Sequence, residues 1–203
     1  MRKKGIERRT FVRWSLAGIT TALGACDSLA DRVLSGAQWP PPTPACSDKS
    51  TPAQTSGPFY TPDTPLRSSL LEADTRGTRL RLSGRVLDTD CRPLPRARLD
   101  FWQADDDGVY DNKGFRLRGH QFADDHGAYR LETVVPGRYP GRTRHIHVRV
   151  QGAGTGLLTT QVYFPGESDN LSDGIFRPDL VVQTLPTADG IRQTAFDFVL
   201  APR

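Results

Sequence analysis

Between residues 78 and 200 the chain is a succession of short runs in which apolar and polar residues alternate. "RLRLSGRVL" sets Leu80, Leu82 and Val86 on one face, and "RARLDFWQ" does the same with Ala97, Leu99 and Phe101. "GAYRLETVV", "HIHVRV", "LLTTQVYF" and "AFDFVL" follow. A period of two is the mark of a strand with one buried face, because successive side chains point to opposite sides. Turn chemistry separates the runs: "DTDCRPLP", "ADDDG", "ADDHG", "VPGRYPG", "QGAGTG" and "FPGESDN". Gly tolerates positive φ, Pro fixes φ and Asp bonds its own backbone, so these clusters end strands. Helical periodicity is limited to one turn expected near Arg177–Val182. Six or more short strands so punctuated read as a β-sandwich or barrel. The expected fold class is all-β, a two-sheet β-sandwich with short turns and few or no helices. The 19 glycines and 16 prolines agree with a turn-rich chain.

The first residues stand outside that pattern. "MRKKGIERRTFVRW" is basic, and the apolar run "SLAGITTALGA" is shorter than the roughly 20 residues a membrane-spanning helix needs. Arg8-Arg9 before Thr10-Phe11-Val12 resembles a twin-arginine export signal, and "LGAC", Leu23 to Cys26, resembles a lipoprotein cleavage box. Residues 1–25 are expected to be an export signal, with Cys26 the lipid-bearing first residue of the mature chain. That makes the cell envelope or periplasm the expected location, and the lipid anchor the expected membrane contact. Residues 26–56, with "WPPPTP" and "STPAQTSGP", read as a Pro-rich tether, and 57–203 as the folded domain.

This division changes the meaning of the charge. The chain carries 27 Lys and Arg against 23 Asp and Glu. Residues 1–26 hold six of the basic residues and one acidic one, leaving 21 basic against 22 acidic. The basic balance belongs to the export signal, so it gives no reason to expect a nucleic-acid partner. Cys46 and Cys91 remain after Cys26 and are a candidate disulfide in an oxidising compartment.

The candidate site lies in "PGRYPGRTRHIHVRV", residues 136–150. On a strand His145 and His147 face the same way, about 7 Å apart along one face, with Ile146 and Val148 on the other. Such a pair reads as partly exposed histidines, a structural pair or two ligands of one metal. His120 and His126, at a strand end and in a turn, read as surface residues. Two tyrosines bear on the choice. Tyr139 lies in a loop framed by Pro136 and Pro140, and Tyr110 ends the turn "WQADDDGVYDN". A phenol ionises only near pH 10 unless a strong Lewis acid drives it. Phenolate is a hard anionic donor that favours ferric iron.

"LSGRVLDTDCRPLPRARLDFWQADDDGVYDN", "PGRYPGRTRHIHV" and "LLTTQVYFPG" together resemble the intradiol ring-cleavage dioxygenases, the group of protocatechuate 3,4-dioxygenase and catechol 1,2-dioxygenase. The resemblance covers about residues 54–200. It implies one non-haem Fe(III) per chain, held by Tyr110, Tyr139, His145 and His147. Tyr139 matches the tyrosinate released when substrate binds, and Arg142 the arginine beside the ring under attack. Gln161 matches a second polar residue of the active site. "TSGPFY" matches a segment at the pocket mouth, which makes Gly57, Pro58 and Tyr60 candidate pocket residues. The reaction implied inserts both atoms of O2 between the hydroxylated carbons of a catechol-type aromatic, giving a muconate-type diacid. Trp102 and Gln103 read as core or strand-edge residues, with lining the site as the alternative. Arg144 and Arg149 suggest an anionic or bulky polar substrate. The family's modes of assembly do not transfer, because a Pro-rich tether stands where catechol enzymes carry a helical dimerisation segment. The alternative reading is a non-catalytic metal- or ligand-binding β-sandwich lipoprotein.

Overall fold

A computed structural model describes residues 49–203. The export signal, Cys26, Cys46 and most of the tether lie outside the described residues. Nine strands follow in order: β1 Arg79–Asp88, β2 Arg98–Trp102, β3 Arg118–Phe122, β4 Ala128–Val134, β5 His145–Gln151, β6 Leu158–Tyr163, β7 Gln183–Ala188, β8 Ile191–Ala195 and β9 Phe198–Leu200. One sheet runs β4-β1-β8-β7, with β9 pairing the far end of β1; the other runs β3-β2-β5-β6. The expected two-sheet sandwich is the observed architecture. Among the described residues the only helical elements are two 3-10 turns, Ser168–Leu171 and Pro178–Leu180. The second is the single turn expected near Arg177–Val182.

The alternation does what it predicts. Leu80, Leu82 and Val86 of β1 and Leu131 of β4 meet Leu99, Phe101, Ile146, Val148, Val150 and Val162 of the second sheet in one buried core. The turn aspartates act as expected too. Asp88, Asp105 and Asp124 each accept the N–H groups two and four residues on with one carboxylate oxygen. Cys91 is disulfide-bonded.

Three strands are not visible in the alternation. β3 carries Arg118, Gly119 and His120 where apolar residues would stand. β7 and β8 are polar, with Pro186 inside β7. β7 is an edge strand with a register shift between Leu185 and Ala188, so a residue without an N–H is tolerated there. Residues 51–55, at the end of the expected tether, run along the sandwich. Thr51 N–H bonds to the Val199 carbonyl, Gln54 N–H to the Thr159 carbonyl, and the Thr160 hydroxyl to the Pro52 carbonyl.

Candidate metal centre

Residues directly opposite on paired antiparallel strands share a face. Arg118 of β3, Trp102 of β2, His147 of β5 and Gln161 of β6 are consecutive partners, so they form one row across four strands. His145 stands opposite Tyr163 in the next row. Ile146, Val148 and Val150 fill the core between the sheets, so this row faces outward. It is nevertheless buried, with His147 only 1% exposed. Its cover comes from the segment around Gly57 and from two loops.

The two loops are the β2–β3 turn, with Tyr110, and the β4–β5 connection, with Tyr139. They meet backbone to backbone. Gly137 N–H donates to the Asp105 carbonyl at 2.6 Å. A β-carbon on Gly108, whose φ is +84°, would lie 2.3 Å from the Arg138 carbonyl oxygen, and one on Gly137 2.2 Å from the Gly108 nitrogen. Only glycine permits that approach. It brings the Tyr110 and Tyr139 rings edge to face at 6.0 Å.

Four donors then converge. His147 Nε2, Tyr139 Oη and Tyr110 Oη lie 3.2, 3.3 and 3.5 Å from His145 Nε2. His145 Nδ1 is 2.7 Å from the Thr143 carbonyl. A carbonyl only accepts, so Nδ1 carries the proton and Nε2 turns its lone pair to the cluster. Among the described residues no group of three or more His, Cys, Asp or Glu is placed to hold a metal. The metal-ligating set available is two imidazoles and two phenols.

Electrostatics keeps Tyr110, His145 and His147 un-ionised when no cation is present. Burial, then the Arg142 charge, pushes His145 down to about 4. Burial and His145 hold His147 well below the usual imidazole range. Burial and the neighbouring Tyr139 push the Tyr110 phenol up. Two neutral imidazoles offer lone pairs at neutral pH, and only a strongly acidic cation can ionise a phenol placed this way. A consequence for the metal-free protein follows. Its unfolded chain takes up protons at His145 near the ordinary value of 6.5, while the folded chain does not until about 4. Stability is therefore full above pH 6.5 and falls as the pH drops towards 4. Calorimetry on metal-free protein should show its Tm declining across that window; a flat profile would contradict the buried neutral pair.

Beside the donors, Arg142 is held by a network. Its Nε donates to Asp173 Oδ2 at 2.9 Å, one Nη to Gln161 Oε1, and the other to Tyr139 Oη at 3.4 Å. Asp173 also accepts the Thr143 N–H. Gln161 Oε1 accepts the Tyr163 hydroxyl, and its Nε2 donates to the Thr55 carbonyl. The sequence-predicted Tyr110, Tyr139, Arg142, His145, His147 and Gln161 thus come together. Gly57 lies against His147, where a β-carbon would sit 3.5 Å from Cε1. Pro58 beside it is exposed, at the rim of the cover. Tyr60 stands one layer back, packed on Trp102 with its hydroxyl on Asp100.

Other expectations change. Trp102 is not a plain core residue: it stacks on His147 at 4.8 Å and 5°. Arg144 turns to Glu167 and the Pro136 carbonyl, and Arg149 lies over the Tyr60 ring, so neither reaches the donors. Their charges give no reason to expect an anionic substrate. His126 is exposed, but His120 is half-buried and bonds the Thr64 carbonyl. Gln103 is a core residue, bonded to Thr133 and Val134. Asp173, Phe59 and Arg118 escaped the reading of the sequence. The Asp in "SDG" was the one available signal for Asp173.

Comparison with known proteins places this geometry among relatives. Residues 55–202 match the model of a protein family described as Dioxygenase. The dioxygenase domain of a dioxygenase–carbohydrate-binding protein fusion from Streptomyces sp. SirexAA-E is 49% identical. It aligns with a TM-score of 0.73 over 76% of this chain and 100% of that one. Hydroxyquinol 1,2-dioxygenase from Rhizobium sp. is 32% identical over 147 residues, 59% of this chain and 50% of that protein. Catechol 1,2-dioxygenase from Acinetobacter baylyi is 28% identical over 173 residues, 70% and 56% of the two. The chain spans about half the length of these curated relatives.

Proposed function

The chain belongs to the dioxygenase family, and on that premise we propose that it is an intradiol ring-cleavage dioxygenase of catechol-type aromatics. The observation that carries the reading is the convergence of two phenol oxygens and two imidazole nitrogens at one buried point. That donor set fits ferric iron, with Tyr110, Tyr139, His145 and His147 as its holders. Iron bound there would supply the Lewis acidity that makes a chelated catecholate reactive towards O2 and the reaction independent of an external reductant.

The chain's own groups divide the remaining work. His145 and His147 project from β5 and stay fixed. Tyr139 is half-exposed on a loop, so it can leave the cluster without disturbing the sheet. Leaving as phenolate, its Oη accepts a proton from a catechol hydroxyl as a general base. Arg142 already reaches towards that oxygen. Its fixed charge stabilises negative charge developing on the ring, an effect worth a few kcal/mol in a dry site. Phe59 and Gly57 over the donors and Trp102 beside them limit water around the reacting groups.

Asp173 holds Arg142 in place while standing behind it, so D173N should lower turnover by about 10–100-fold with a smaller change in KM. Steady-state kinetics on a neutral catechol checks this; unchanged turnover would remove Asp173 from the account. The substrate itself is tested by O2 uptake on catechol, hydroxyquinol, protocatechuate and chlorocatechols. Neutral rings are expected to be preferred, because the arginines near Tyr139 are already paired with acids. We also propose, from residues 1–26 alone, that the chain is exported and anchored through Cys26. A mature N-terminus other than a lipid-modified Cys26 would refute the anchor.

A further inference from the structure

Arg118 is fully buried, at 0% exposure. Desolvating a guanidinium costs several kcal/mol, so a side chain needed only for bulk at this position would be apolar. Its hydrogen bonds go to two backbone carbonyls. Nε and one Nη donate to the Asp111 carbonyl at 2.9 and 2.7 Å, and the other Nη to the Phe59 carbonyl. The Asp111 carboxylate is turned away, capping the N–H groups of Lys113, Gly114 and Arg116. Arg118 therefore grips the chain at the residue following Tyr110 and at the residue whose ring covers it.

The rest of the geometry agrees. Phe59 stacks on Tyr110 at 4.6 Å and 23°, and the Arg118 guanidinium lies 5.9 Å from the same ring. Tyr110 is thus in contact with both a ring and a cation. Arg118 itself is fixed by its place in the row that runs through Trp102 and His147 to Gln161. The other donors are set by β5 or by the loop between Pro136 and Pro140. Tyr110 ends a turn and has no strand of its own. A fork of parallel N–H donors can hold two segments at a fixed separation, which a lysine cannot do.

We propose that Arg118 is the positioning residue for Tyr110, clamping its phenol in the donor set and holding Phe59 over it. This rests on the reading of the site as an iron centre. The test uses R118K and R118M beside the wild type, each loaded with ferric iron. The readouts are iron retention against a chelator, the visible tyrosinate-to-iron band, the Tm of the metal-free form, and kcat and KM. R118K keeps charge and stem but loses the fork. Both variants are expected to lose about 10–100-fold in iron affinity and to shift the band, with R118K less affected in Tm than R118M. Folded variants with wild-type affinity and band would overturn the proposal, as would an R118K that fails to fold, since the role would then be structural. A wild type with no tyrosinate band would overturn the iron reading instead.

Discussion

H147A is expected to yield a folded, colourless protein that neither retains iron nor consumes O2 with catechol. His147 is central in three respects. It supplies one of the four donors, it forms the platform on which Trp102 stacks, and it lies under the Gly57 segment. Removing the ring deletes a proposed ligand, leaves Trp102 without its stacking partner and opens a cavity below the cover. The loss of activity should exceed the roughly hundredfold drop typical of removing an outer partner of a ligand. Far-ultraviolet circular dichroism should remain that of the wild type, because Ile146 and Val148 still anchor β5 in the core. Iron analysis and the visible spectrum check the outcome. A variant that kept the wild-type band would show that His147 is not a ligand.

G108A should damage the same site from a distance. The new methyl would meet the Arg138 carbonyl at 2.3 Å, and the residue would keep φ at +84°. The left-handed backbone costs about 1–2 kcal/mol for an L residue. The overpacking costs about 1–3 kcal/mol more. A Tm lower by roughly 5–15 °C is expected for a domain of this size. The loops of Tyr110 and Tyr139 must also separate for the methyl to fit. Iron affinity should therefore fall more than it does in a substitution of equal thermal cost on the opposite sheet. Equal affinity at matched loss of stability would mean that the glycine contact serves folding alone.

These two residues mark what a single sequence discloses. The strand carrying His145 and His147 was legible because period-two alternation fixes which residues share a face. The loops were legible as loops from their Gly, Pro and Asp. The meeting of Gly108 with Gly137 was not, since the two lie in separate turns and nothing local records their contact. The part Trp102 plays at the site was not legible for a related reason. Beside Phe101 it looks like core, and only the cross-strand register sets it against His147. β3 was legible only as a strand end at His120, because Arg118, Gly119 and His120 replace the apolar alternation; the buried charge that hides the rest of the strand is the one that clamps Tyr110. β7, an edge strand, and β8, inside the sheet between β1 and β7, were missed because their residues are mostly polar and show no apolar alternation. Asp173 sits in a turn that resembles any other until its partner Arg142 is in place.

The central claim is that this donor set opens a catechol ring between its hydroxylated carbons. The most direct test is to run the iron-loaded protein on catechol under isotopically labelled dioxygen and to analyse the product by mass spectrometry. A muconate-type diacid carrying both labelled atoms is expected, with one O2 consumed per catechol. A quinone, a product with one labelled atom, or no product from a fully iron-loaded protein would contradict it.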